Sequence, residues 1–222
     1  MKQTNNAIKF LMAQYRAIYQ SAYLKGLTSA IIVTATLAAP QAQAATDLNQ
    51  ATSGGTITIS QDSDVLELTT PTNKDGLPFT VKISTDKQAE NKVNGAVVSA
   101  NKATFEINGS KDTKFNVSAS TGASAAAGSL TISTLDVKKG IVTVEANGAN
   151  AATLAASQIN VGNGSQINVA GTNNPSAAST IGDTSTKYNL EYGSTIILGS
   201  SGAMLGQDVV STGGKIVLNG GS

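Results

Sequence analysis

The sequence predicts a mainly β chain: a parallel β-helix (β-solenoid) with an irregular N-terminal cap, preceded by a helical signal peptide. Three observations predict it. From residue 54 onward, short runs of β-branched residues alternate with polar ones, the period of a half-buried strand. Several runs open on Gly followed by Gly or Ser, as at Gly54-Gly55 and Gly193-Ser194, and such recurrence suggests stacked repeat units. The first 44 residues run from charged to apolar to small side chains, the layout of a cleavable export signal.

Taken in order, the signal comes first. Ile8, Leu11, Tyr15, Ile18, Tyr19, Ala22 and Tyr23 recur at three- and four-residue steps, which predicts an amphipathic helix in a long n-region over 1–26. Lys2, Lys9 and Arg16 are spaced by seven, so the charges share a side where anionic headgroups or a targeting factor can meet them. The apolar run 27–39 follows Lys25 and carries four hydroxyl side chains; it is shorter than the roughly 20 residues a membrane-spanning helix needs. Pro40 and Ala42-Gln43-Ala44 then supply a small-x-small site. Cleavage is expected after Ala44, with Ala42, Ala44 and Ala45 as the site residues, and export makes the secretion machinery a partner.

Composition excludes much of chemistry. The 222 residues contain no His, Cys or Trp, so a Ser-His-Asp triad, a thiol nucleophile, a His or Cys zinc site and a disulfide framework have no side chains to build them. No cofactor is expected. Beyond residue 44 there are 11 Lys and no Arg against 14 acidic residues, a net charge of −3. Scattered Lys and few aromatics make nucleic acid an unsuitable partner. The exported part is expected not to span a membrane.

The strands come next. The clearest runs are Thr56–Ile59, Val65–Leu68, Phe79–Ile83, Thr104–Ile107, Lys114–Val117, Leu130–Ile132 and Leu135–Val137. Ile141–Val144, Ile159–Val161, Gln166–Val169, Thr195–Leu198 and Lys215–Leu218 follow. Glycines opening five of them fall at 54, 128, 164, 193 and 213, so the intervals shrink from 74 to 36, 29 and 20. A β-helix needs such residues, because each corner favours a cheap positive φ while each strand sends alternate aliphatics into a narrow core. The first half, with Pro71 to Pro78 and the charged stretch Asp86 to Lys92, reads as the irregular cap; a hairpin-built sandwich over 54–117 competes with it. Ala119 to Gly128 and Gly171 to Lys187 read as loops leaving the stack. A short helix competes over Ala149 to Ser157.

Phrases such as Ile159-Asn160-Val161-Gly162-Asn163-Gly164-Ser165-Gln166-Ile167-Asn168-Val169 and Tyr192-Gly193-Ser194-Thr195-Ile196-Ile197-Leu198, behind a long signal, resemble the N-terminal part of bacterial autotransporter passengers. The resemblance implies a right-handed parallel β-helix on the cell surface, often adhesive, carried out by a C-terminal outer-membrane barrel. Beyond residue 190 there is one Tyr and no Phe, unlike such a barrel. Either the chain is the N-terminal piece of a longer protein, or the resemblance to autotransporters fails.

Few residues are candidates for chemistry. Ser84-Thr85-Asp86-Lys87 matches Ser-x-x-Lys, in which a lysine activates a serine, but Ser99, Thr184 and Thr212 open equivalent matches, the number a Ser- and Thr-rich chain produces by chance. Asp62 and Asp64 alternate onto one face near Glu67, where paired carboxylates can share a proton or bind Ca²⁺; a solvated strand end is the plainer reading. Phe79, Phe105 and Phe115 alternate as core residues do, against a rival reading as ligand-stacking rings. No catalytic, cofactor or metal residue is assigned.

The expected organisation is a signal peptide over 1–44, a linker over 45–53 and a β-helix-like domain over 54–222. The expected function is that of an exported, non-catalytic structural or adhesin-like protein at the cell surface or outside the cell, with the periplasm as intermediate. Its expected partners are glycans, matrix polymers or a host surface, met through outward Thr, Ser and Asn ladders. Two rivals remain: a secreted carbohydrate-active enzyme using the Asp62 and Asp64 region, and a self-associating surface-layer or fibre subunit.

Overall fold

A strand with one apolar face must bury that face against another element, and here all but the last described strands bury it inside coils of their own chain. The structure, a computed structural model, describes residues 44–61, 64–85, 91–121, 125–172 and 177–220. The expected signal segment through Gln43, including Ala42, lies outside the described residues, as do Asp62, Asp86 and Lys87.

Along the chain, β1 (Ala44–Thr46), a 3-10 turn at Leu48–Gln50 and β2 (Thr56–Ile59) form the first coil. The next contains β3 (Asp64–Leu68), β4 (Thr72–Asn73) and β5 (Thr80–Ile83). Three coils of two strands each follow: β6 (Asn91–Asn94) with β7 (Val97–Asn108), β8 (Lys114–Ser118) with β9 (Gly128–Lys139), and β10 (Ile141–Asn147) with β11 (Ala152–Val161). After them come β12 (Gln166–Thr172), β13 (Ser179–Ile181) and β14 (Lys187–Leu190), then β15 (Thr195–Leu198), β16 (Gly202–Met204) and β17 (Asp208–Ser211), and finally β18 (Lys215–Leu218).

Every pairing between these strands is parallel, and the result is a β-solenoid of about six turns. One wall is the eight-stranded sheet β1-β3-β6-β8-β10-β12-β15-β18, and the remaining ten strands form the other sheet. In-register partners recur every 20 residues, from Thr195 to Lys215, up to every 32, from Val97 to Ser129. Eight strands spaced about 4.8 Å apart make the first wall about 34 Å tall.

The long strands β7, β9 and β11 each turn a corner, and the pairing of β7 with β9 shifts register there, between Ala100 and Thr104. Burial alternates along each until two outward residues come together, at Asn101-Lys102, Ser133-Thr134 and Ser157-Gln158, after which alternation resumes. Two consecutive outward residues redirect the inward face, so one strand lines two sides of the core.

Inside, like residues stack on like. Phe115, Val142, Ile167 and Ile196 form one buried column of the eight-stranded wall, and Val93, Val117, Val144, Val169 and Leu198 form the next. Opposite them run Ile57, Val81, Phe105, Leu135, Ile159 and Tyr188. Asn91 interrupts the first column, and it is buried because its Oδ1 accepts a hydrogen bond from the Leu66 N–H at 2.9 Å. β3 and β6 pair only at Glu67–Lys92 and Leu68–Val93, so the side chain supplies what the ladder lacks there.

Several expectations are corrected. The residues over 54–117 are not a sandwich of hairpins: β2, β5 and β7 pair in parallel within the same stack. Ala152–Ala156, where a helix competed, belongs to β11, with Ala152, Leu154 and Ala156 facing inward. The stretch Gly171 to Lys187 is not wholly loop, since β13 lies within it and buries Ile181. The segment 45–53, read as a linker, carries the end of β1 and the fully buried Leu48.

Candidate functional site

The outward residues of the stack form ladders, because parallel in-register pairing places equivalent positions one above another. Thr56, Thr80, Thr104 and Thr134 make one such column, continued by Gln158, Lys187 and Asp208. Two residues along, Thr58, Lys82, Glu106, Asp136, Asn160 and Asn189 make a second. Asn189 Nδ2 and Gln158 Nε2 both donate to Asn160 Oδ1, at 2.8 and 3.0 Å.

The charged centre of this surface is Glu106 with Asp136 and Lys138. Lys138 Nζ lies 2.8 Å from Glu106 Oε2 and 3.7 Å from Asp136 Oδ2. The hydrogen bond from Lys138 holds the Glu106 carboxyl below its ordinary range and raises the Lys138 ammonium. Partial burial pushes Asp136 upward, against the pull of Lys138. One ammonium offsets one of the two carboxylate charges on this wall.

The residues singled out from the sequence are dispersed. Asp64 opens β3, while Glu67, three residues on, forms an ion pair with Lys92 at 3.2 Å across neighbouring coils. Alternation breaks between them, where Val65 and Leu66 are both buried. Ser84 N–H donates to Ile59 O at 2.9 Å, tying that serine to a corner between coils. Ser99 Oγ is held by both Asp75 carboxylate oxygens, at 2.7 and 2.8 Å. Thr184 is exposed, and the Thr212 N–H donates to Leu190 O at 2.9 Å. Ala44 and Ala45 lie in β1, paired with Asp64 and Val65.

The rings of Phe79, Phe105 and Phe115 are buried, as their alternation predicts, and those of Phe105 and Phe115 stand 5.7 Å apart. Tyr188 is buried too, with its hydroxyl 2.7 Å from Leu205 O and 3.0 Å from Ile181 O; burial raises its pKa. Tyr192 is the exposed aromatic among the described residues, at 73%.

Sequence reasoning missed the Glu106–Asp136 column because the two acids are 30 residues apart. A signal was present: Thr104-Phe105-Glu106-Ile107 and Thr134-Leu135-Asp136-Val137 share one pattern, and superposing them stacks the acids. Neither a protein-family model, nor a curated protein, nor a solved structure matches the chain.

Proposed function

We propose that the chain is an exported, surface-exposed structural segment of adhesin-like character, a non-catalytic stalk that displays its outer face. The observation that carries this reading is the continuity of the stack. Apolar columns pass from coil to coil through the interior, while Thr, Asn and paired charges occupy the matching outward positions. Such a stack is stiff because each coil is held by its neighbours along the whole ladder. The outward Thr and Asn columns present hydroxyls and amides at regular spacing, a surface suited to glycans or matrix polymers.

The test is an immunoblot of fractionated native cells with an antibody raised to residues 45–222. A band on intact cells that added protease removes supports the reading. A band confined to the cytoplasm at the full 22.4 kDa contradicts it.

A second reading, self-association as a fibre or layer subunit, has its own observation. Leu205, Val209, Val210, Ile216 and Leu218 are all exposed, and together they leave an apolar stretch on the last described strands. An uncovered edge of this kind invites pairing with another chain. Sedimentation that shifts with concentration, and that Leu218→Lys with Ile216→Lys abolishes, supports this reading; a monomer at every concentration excludes it.

A further inference from the structure

The sequence contains five Asn-Gly pairs, at Asn94, Asn108, Asn147, Asn163 and Asn219. An Asn-Gly pair can react with itself. The glycine main-chain nitrogen attacks the asparagine Cγ, the new N–Cγ bond forms, the Cγ–Nδ2 bond breaks, and ammonia leaves with the proton that the N–H gives up. Water then opens the resulting succinimide at either carbonyl, yielding aspartate or isoaspartate. Glycine permits the attack because no Cβ blocks it, but two further conditions depend on the fold: the glycine N–H must be free of a hydrogen-bond acceptor, and the asparagine amide must be free to swing.

The structure separates the five pairs on these conditions. Gly95 N–H donates to Ser118 O at 2.9 Å, and Gly109 N–H donates to Lys139 O at 3.2 Å. The asparagines before them are engaged as well: Asn94 Oδ1 accepts from Ser118 Oγ at 3.5 Å, and Asn108 Nδ2 donates to Glu106 Oε1 at 3.4 Å. Asn147 is held in an antiparallel bridge, exchanging two 3.0 Å bonds with Asn150.

Asn163 and Gly164 differ. They are the two central residues of a turn closed by Ser165 N–H to Gly162 O at 3.0 Å. Both residues are exposed, and Gly164 has φ +70°. The Asn163 N–H donates to Glu191 Oε2 at 3.2 Å, which anchors the corner, whereas its carboxamide and the Gly164 N–H have no hydrogen-bond partner among the described residues. Asn219 and Gly220 share that freedom at the far end of the stack.

We propose that Asn163 is a site of spontaneous deamidation through the Gly164 nitrogen, selected by the fold over Asn94 and Asn108. The product sets a new carboxylate beside Glu191. As isoaspartate it also adds a methylene to the main chain in the corner where Gly164, Gly193 and Gly213 lie two residues before the in-register Gln166, Thr195 and Lys215. Neither reading of the function is needed for this inference.

The experiment incubates the full chain in mildly alkaline buffer, folded and in concentrated urea, and follows each Asn-Gly peptide by mass spectrometry and isoaspartate detection. In the folded chain Asn163 is expected to convert with Asn219, while Asn94 and Asn108 lag by roughly tenfold or more because their amides must first open. In urea the four rates should converge. Asn163→Gln should abolish the mass gain on its peptide alone. The inference is overturned if Asn163 lags with Asn94 and Asn108 in the folded chain, or if the folded chain shows the same ranking as the chain in urea.

Discussion

Replacing Phe115 by Ala tests the interior columns. Phe115 is fully buried, stands in register with Asn91 on one side and Val142 on the other, and meets the Phe105 ring at 5.7 Å and 43°. A phenylalanine buries about 150–250 Å², which at about 25 cal/mol per Å² corresponds to about 4–6 kcal/mol. That is an upper bound, because the unfolded chain already hides part of this surface. Measured Phe→Ala losses of about 3–5 kcal/mol agree, and the ring pair adds about 0.5–1.5 kcal/mol. Neither neighbouring side chain can fill the gap, since strand register fixes both. Against a total stability of about 5–15 kcal/mol the loss is large. Urea unfolding followed by circular dichroism reads it, and a double-mutant cycle with Phe105→Ala isolates the ring pair. A loss under about 1 kcal/mol, or strict additivity in the cycle, would refute the packing described.

Other perturbations probe different parts of the stack. Gly140→Ala places a Cβ 2.8 Å from Thr113 O and 2.9 Å from Ile107 Cγ2 at φ +150°, whereas Gly148→Ala meets nothing within 4 Å at φ +57°. Thermal unfolding should therefore show a loss of about 2–3 kcal/mol for the first and about 1 kcal/mol for the second. Asn91→Ala orphans the Leu66 N–H in the core and should cost about 1–3 kcal/mol by urea titration; Asn91→Asp keeps an acceptor but buries a charge, and should cost more. For Tyr188 the sign follows from its raised pKa. The unfolded tyrosine ionises near pH 10 while the folded one stays protonated, so its contribution is complete below about pH 10 and is lost as pH rises further. Tyr188→Phe should be less stable near neutrality by about 1 kcal/mol, yet lose less stability than the parent when denaturation is repeated at alkaline pH.

The alternating runs were legible because burial of one face imposes a period of two, and Thr56–Ile59, Lys114–Val117 and Thr195–Leu198 are strands as read. Leu130–Ile132 and Leu135–Val137 looked separate because the alternation breaks at a corner, although the single strand β9 spans it. Ala152–Ala156 misled for another reason. Alanine favours helices, but in register with Ile132 and Ala100 a small inward side chain is what the narrow core admits. The opening glycines belong to different corners: Gly54 precedes β2, Gly128 begins β9, and Gly164, Gly193 and Gly213 precede strands of the eight-stranded wall. Only the last three share a column, so only their spacings of 29 and 20 are true coil lengths, matching the steps Gln166 to Thr195 to Lys215. The Glu106–Asp136–Lys138 cluster depends on register, which no single run contains.

Parallel register in the first half of the stack is the claim on which the fold and the ladders both depend. The chain has no Cys, so paired cysteines report on it cleanly. Thr80 pairs with Thr104, and Lys82 with Glu106, neighbours close enough to bridge, since disulfides need Cα separations of about 4.4–6.8 Å. Under mild oxidation Thr80→Cys with Thr104→Cys should cross-link, as should Lys82→Cys with Glu106→Cys. The swapped pairs, Thr80→Cys with Glu106→Cys and Lys82→Cys with Thr104→Cys, should not. The reverse pattern would mean antiparallel strands and would contradict the solenoid.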